Sequence, residues 1–141
     1  MSDYVLSCCS TADISREHFA ARNIQMICFH FTVNGASYPD DLGASYPFEA
    51  FYADMAAGAE TSTSQVNVAE YLEYFSRFLA EGKDVLHVCF SGGLSGSVNS
   101  ARNAALIAQE RFPERQILIV DSLCASSGYG LLMDALADRR D

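Results

Sequence analysis

The chain is short of positive charge. It has one lysine, Lys83, and nine basic residues in all against eighteen acidic ones, for a net charge of −9. Nucleic acids and anionic membrane surfaces are gripped by clustered Lys and Arg, so neither is an expected partner. There is no apolar run of 18 residues, which excludes a spanning helix on the sequence pattern. The start, Met1-Ser2-Asp3-Tyr4, has neither the basic region nor the apolar stretch of a secretory leader, and the expected setting is the cytoplasm. No internal repeat, low-complexity tract or linker interrupts the chain. Cysteine numbers five, an odd count, and no leader accompanies it, which argues against a disulfide framework. A C-x-x-C knuckle is also absent. The metal reading that remains, Cys28 and His30 with His87 and Cys89, is set against a plainer one in which cysteines on apolar strands act as small core residues.

What is present is enough for one domain. Half of the 141 residues are hydrophobic and 19% are charged, a globular composition. Apolar strand patterns are expected at Tyr4 to Ser10, Met26 to Thr32, Val85 to Phe90 and Gln116 to Asp121. The last, "QILIVD", is apolar throughout, as a strand covered on both faces should be. Asn34-Gly35 signals a hairpin turn with a short return strand near Ser37 and Tyr38. Helices are expected over Ile14 to Arg22, from Pro47 to Gly58, from Asn67 to Gly82, after Ser97, and from near Gly128 to Asp141. Asn67 with Glu70 three residues on forms a capping-box pattern. After Ser97, Val98, Ala101, Ala105, Ala108 and Phe112 make a small-residue stripe suited to close packing. Strands alternating with helices predict an α/β domain, a mostly parallel sheet with helices on both faces.

Ligands of such sheets sit beyond the carboxyl ends of the strands. The segments expected there are Ser10-Thr11, Ser91 to Ser97 and Ser122 to Ser127, joined by a polar loop at Thr61 to Gln65. All are rich in hydroxyls and nearly free of charge. Unpaired N–H groups at a helix start, with short hydroxyl side chains, can hold an anion without any basic residue. The turn "SGGLSGS" is neither G-x-x-x-x-G-K-[ST] nor G-x-G-x-x-G, so a phosphate cofactor fits poorly. Gly93-Leu94-Ser95-Gly96-Ser97 lacks the second glycine of a nucleophile elbow, so a serine hydrolase fits poorly too. His18, His30 and His87 could supply a base in principle, but His30 and His87 sit inside strand runs, where a core histidine is the commoner case, and His18 lies in a polar helix. Asp40-Asp41 reads as a solvated surface pair. A monoanion with an apolar body is the better match.

The segments "TSTSQVN", "SGGLSGSVNSA" and "VDSLCASSGYGLL", in that order and spacing, resemble the DegV family of fatty-acid-binding proteins, as do "LSCCSTADIS" and "FHFTVNGASYPDDLG". The resemblance runs over essentially the whole chain and matches the first of two domains in a typical member. It implies that residues 1–141 are an amino-terminal α/β domain, with the second domain absent from this chain. It implies a carrier, not an enzyme, that holds one long-chain fatty acid such as palmitate between its domains. Some members deliver it to a fatty acid kinase for phospholipid synthesis. It implies that Thr63 and Ser95 bind the carboxylate, with Ser64, Gly93 and Gly96 shaping the loops and offering backbone donors. No cofactor and no metal are implied. Three departures stand out: Gly92 replaces a serine, which is expected to loosen its loop; Cys9-Ser10-Thr11 replaces Asp-Ser-Thr; and the chain stops before the domain that supplies much of the tunnel and a histidine near the carboxylate. Alone, the fragment is expected to self-associate. The rival readings are a hydrolase or acyltransferase built on Ser95, and a partner-binding domain with no ligand.

Overall fold

A computed structural model describes residues 4–141. Met1, Ser2 and Asp3, which entered the reading of the leader, lie outside the described residues. The elements in chain order are β1 (Tyr4–Cys9), a 3-10 turn (Ser10–Ala12), α1 (Arg16–Ala21), β2 (Gln25–Ile27), β3 (His30–Val33), β4 (Ala36–Pro39), α2 (Phe48–Ala56), β5 (Thr61–Ser64), α3 (Val68–Ala80), β6 (Asp84–Cys89), α4 (Ser97–Arg111), β7 (Ile117–Asp121) and α5 (Ser126–Arg140). The main sheet has four strands in the order β2-β1-β6-β7, and all its pairings are parallel. A second sheet has three antiparallel strands in the order β4-β3-β5.

Strand alternation sends Ser7, Cys9 and His87 to one face and Leu6, Cys8 and Val88 to the other. The first face is covered by α3, whose Tyr71, Tyr74 and Phe75 rings lie 5.3 to 6.3 Å from the His87 ring. Packed on α3 is α4, through a stripe of Val98, Ala101, Ala104 and Ala108. Ala104, rather than Ala105, takes the fully buried place in it. On the other face α1 and α5 are clipped together, His18 Nε2 standing 2.8 Å and Arg22 Nε 3.2 Å from Asp134 Oδ1. The capping box of α3 forms as its sequence predicts: Asn67 Oδ1 accepts from the Glu70 N–H at 2.9 Å, and Glu70 Oε2 accepts from the Asn67 N–H at 2.9 Å.

Three expectations are corrected. The run Met26 to Thr32 is two strands in two sheets. Its backbone leaves the parallel sheet at Cys28, because the Phe29 N–H donates to the Ser10 hydroxyl at 3.0 Å and the Phe29 carbonyl accepts from the Asp40 N–H at 2.7 Å. The Thr61 to Gln65 segment is β5 up to Ser64, held by its ladder to β3 and by the Thr32–Ser62 hydroxyl pair at 2.6 Å. A strand of alternating threonine and serine has no apolar face, so hydrophobic periodicity could not reveal it. Finally, β7 is an edge strand with one face open, its Leu118 and Val120 exposed, and not a doubly covered one. Asn34 and Gly35 form the hairpin turn, both at positive φ, 49° and 84°.

Candidate functional site

Where the carboxyl ends of β1 and β6 meet the second sheet, a cleft of about 560 Å³ opens. Thr63, Ser64, Ser95 and Gly96 all line it, together with Thr11, His30, Asp40 and Gln65. The rest of its wall is largely aromatic, with Phe29, Phe31, Tyr46, Phe48, Phe51 and Phe90. The structure therefore brings Thr63, Ser64, Ser95 and Gly96 to one cavity, whereas Gly93 does not line it. Ser122 to Ser127 does not line it.

The polar end is built from two backbone segments. In the first, the β5–β3 ladder sets Thr63 opposite Phe31 and Ser64 opposite His30. Thr63 thus projects from a strand and not, as the sequence reading had it, from a loop leading into a helix. Beyond Ser64, fully buried Val66 anchors the chain before the α3 cap. In the second, the turn after β6 is tied to the turn after β7: the Ser91 N–H donates to the Cys124 carbonyl at 3.0 Å, and the Asp121 carboxylate accepts from the Gly92 N–H at 3.1 Å and the Leu123 N–H at 3.0 Å. Gly92 does not loosen this turn. A Cβ there would stand 2.6 Å from Asp121 Oδ2, so a serine would displace the carboxylate that fastens the two turns.

Ser95 sits at the start of α4. Its Oγ accepts from the Ser97 N–H at 3.2 Å and donates to Oε1 of Gln65 at 3.1 Å, which joins the two segments. No bond links Ser95 to a histidine among the described residues. His30 Nε2 lies 3.0 Å from Glu70 Oε1, the carboxylate that also closes the α3 cap. His18 belongs to the α1–α5 clip. His87 is fully buried, where Ser7 Oγ meets Nδ1 at 2.8 Å and Cys9 Sγ lies 3.7 Å from Nε2; burial holds its pKa down to about 3. The four residues of the metal reading are thus engaged elsewhere or dispersed, and no group of His, Cys, Asp or Glu able to hold a metal occurs among the described residues. The same burial raises the thiols of Cys8 and Cys9 above their ordinary range, as expected of core cysteines.

Asp40 was misread as solvated. It is half-buried on the cleft wall, and desolvation raises its carboxyl pKa, opposed by hydrogen bonds from Ser10 and the Leu42 backbone. Its neighbour Asp41 turns to the surface and accepts from the Ser45 N–H at 2.9 Å. Sequence reasoning also missed the aromatic wall. Phe31 contacts Tyr38, Tyr46 and Phe51 at 5.2 to 5.7 Å, drawing three separate segments into one apolar surface. The signal was there in "FHF", "SYPF" and "FEAFY", but helical or strand period alone does not say that these segments share a wall. Helix α2 has no buried residue, and its Phe48 and Tyr52 are more than half exposed.

A family model described as an uncharacterised protein of the DegV family matches residues 9–141. A DegV domain-containing protein of Lactococcus lactis, YteA, is 33% identical over 132 residues, which is 94% of this chain and 46% of that protein. A stearic-acid-binding protein from Eubacterium ventriosum superimposes with a TM-score of 0.88 at 25% identity, over 97% of this chain and 47% of that one. The fatty acid kinase B3 protein of Streptococcus pneumoniae, loaded with linoleic acid, does so with a TM-score of 0.76 at 26% identity, over 100% of this chain and 49% of that one. The chain spans about half the length of these relatives. No helix among the described residues is long and apolar enough to cross a membrane. The chain belongs to the DegV family.

Proposed function

We propose that this DegV-family chain binds a long-chain fatty acid such as palmitate, its carboxylate at the Thr63–Ser95 end of the cleft and its acyl chain along the aromatic wall. One observation carries the reading: a hydroxyl-rich corner and an apolar wall line the same cavity, the two chemistries of a monoanion with a hydrocarbon body. Thr63 and Ser95 donate to the carboxylate. Ser64 and the backbone around Gly96 supply further donors, aided by the positive end of α4. The similarity to proteins that hold stearic and linoleic acids supports the ligand class.

The chain serves as the amino-terminal half of a two-domain carrier whose other half closes the cleft. Its match to about half of each relative supports this division. Binding without chemistry fits the Ser95 environment, because Gln65, its hydrogen-bond acceptor, is not a base. Delivery of the fatty acid to a kinase that phosphorylates its carboxylate is the reading supported by the pneumococcal relative. Titration of the complete protein with palmitate by calorimetry tests the ligand. A stoichiometric complex is expected; absence of heat and of co-purifying lipid overturns the reading. Acyl-phosphate formation by a fatty acid kinase from the same cell, dependent on this protein, tests the partner.

A further inference from the structure

The head-group corner holds a residue that the two hydroxyls do not account for. Gln65 comes directly after β5, between Ser64, paired with His30 in the ladder, and fully buried Val66, so its backbone is fixed on both sides. Its side-chain amide lies over Gly96. A Cβ at Gly96 would be 3.1 Å from Oε1 and 3.2 Å from Nε2, so both ends of the amide rest against that bare backbone. In this arrangement the Ser95 hydroxyl spends its proton on Gln65 Oε1 while accepting from the Ser97 N–H. A hydroxyl has one proton. Ser95 therefore cannot donate to an anion while Gln65 keeps this orientation.

We infer that Gln65 is a positioning residue that sets the direction of the Ser95 proton. In one orientation of the amide its carbonyl oxygen accepts that proton. When a carboxylate arrives, the amide turns over about its last side-chain bond. The –NH₂ end then donates to Ser95 Oγ, which still accepts from Ser97, and the Ser95 proton swings to the carboxylate. The oxygen and nitrogen ends are similar in size and equally close to Gly96, so the turn requires little movement of the surroundings. The effect is selectivity for an anion: the Gln65–Ser95 bond is kept with its direction reversed, and the proton it frees gains most from a charged acceptor. A carboxylate at position 65 could not make the switch, since it accepts but does not donate, and would also repel the ligand.

This inference rests on the fatty-acid reading, and its test separates the two. Palmitate and hexadecanol are titrated at pH 7.5 into the complete protein as wild type, Gln65→Met and Gln65→Glu. The expected order for palmitate is Gln, then Met, then Glu, with Gln65→Glu weaker by roughly a hundredfold and hexadecanol changed by less than about threefold. A merely structural role for this exposed side chain predicts the opposite order, the isosteric Glu being the milder change, with equal effects on acid and alcohol. In parallel, the Gln65 side-chain ¹⁵N–H₂ resonances should shift on loading with palmitate and stay near their empty positions with hexadecanol. Palmitate affinity of Gln65→Glu within threefold of wild type, or equal losses for acid and alcohol, overturns the inference and leaves the fatty-acid reading standing. Failure of the wild type to bind palmitate overturns both.

Discussion

Thr63 stands directly across from Phe31 in the antiparallel ladder between β5 and β3, so the two side chains share one face of the second sheet. A hydrogen-bonding group and the centre of the aromatic wall are fixed side by side by backbone pairing alone. Hydroxyl end and apolar wall thereby become one site.

The first prediction follows for the two hydroxyls. Thr63→Val keeps the shape and β-branching of a strand residue while removing the donor; Ser95→Ala removes the other. Charge-assisted hydrogen bonds contribute about 1.5–3 kcal/mol each. Each variant should therefore bind palmitate roughly tenfold or more weakly, at 1.4 kcal/mol per decade. A fatty alcohol should be less sensitive. Thermal melting should change little, because Thr63 is exposed and Ser95 half-buried. Calorimetry with the complete protein measures this, and unchanged palmitate affinity in both variants would remove the carboxylate from this corner.

A second prediction concerns the wall. Phe51 packs its ring at 5.2 Å from Phe31 and 5.6 Å from Tyr52. Phe51→Ala should lower the gain in affinity per added methylene, which is about 0.8 kcal/mol where a CH₂ is fully buried. A ligand series from octanoate to palmitate reads out that slope. A parallel drop for every chain length would mean that Phe51 supports the head group or the fold and not the tail.

The third prediction is one of acid stability. His87 is neutral in the folded protein, with a pKa near 3, against about 6.5 unfolded. Above pH 6.5 it is neutral in both states and contributes no pH dependence. As pH falls below 6.5 the unfolded chain takes up a proton that the folded one refuses, so stability drops by up to about 1.4 kcal/mol per pH unit until about pH 3. Asp40, with its raised carboxyl, acts in the opposite sense, favouring the folded state as pH falls. Urea unfolding between pH 7.5 and 4.5 should show a net loss, and His87→Gln should abolish most of the slope. A wild-type slope retained by the variant would assign it to other groups.

How much of this was legible in the sequence depended on where each residue's constraint lies. Three of the four parallel strands, β1, β6 and β7, and the capping box at Asn67 and Glu70 are local patterns and were read directly, whereas β2 was read as the start of one longer run to Thr32. The motifs around Thr63 and Ser95 could be placed by resemblance, and the structure brings them to one cleft. Of the second sheet only the Asn34–Gly35 hairpin and its return strand were read, because β5 has hydroxyls on both faces and the break at Phe29 is enforced by the Ser10 hydroxyl, 19 positions away. Asp40 was read together with Asp41 as part of a solvated surface loop. Only the chain path carries Asp40 onto the cleft wall, where Ser10 and the Leu42 backbone hold it. The Gln65–Ser95 bond spans 30 positions and has no local signature.

The last prediction concerns the chain by itself. Leu118 and Val120 on the open face of edge strand β7 are 60% and 43% exposed, and Phe48 and Tyr52 on α2 are 56% and 65% exposed. Apolar side chains at this level, on an edge strand with one side unpaired and on a helix with no buried residue, favour association. An acyl chain in the cleft would also keep one side against water, losing part of the gain that burial gives each methylene. Residues 1–141 alone should therefore self-associate at micromolar concentration and bind palmitate weakly or not at all, whereas a chain that carries the proposed second half should bind it stoichiometrically. Sedimentation velocity and calorimetry on the two proteins make the comparison. Leu118→Lys with Val120→Lys should shift the isolated domain toward monomer if β7 carries the contact, and Phe48→Ser with Tyr52→Ser should do so if α2 does. A monomeric domain that binds palmitate with submicromolar affinity would show that the cleft is already closed enough to hold the chain, and that the proposed second half is not needed to shelter the ligand.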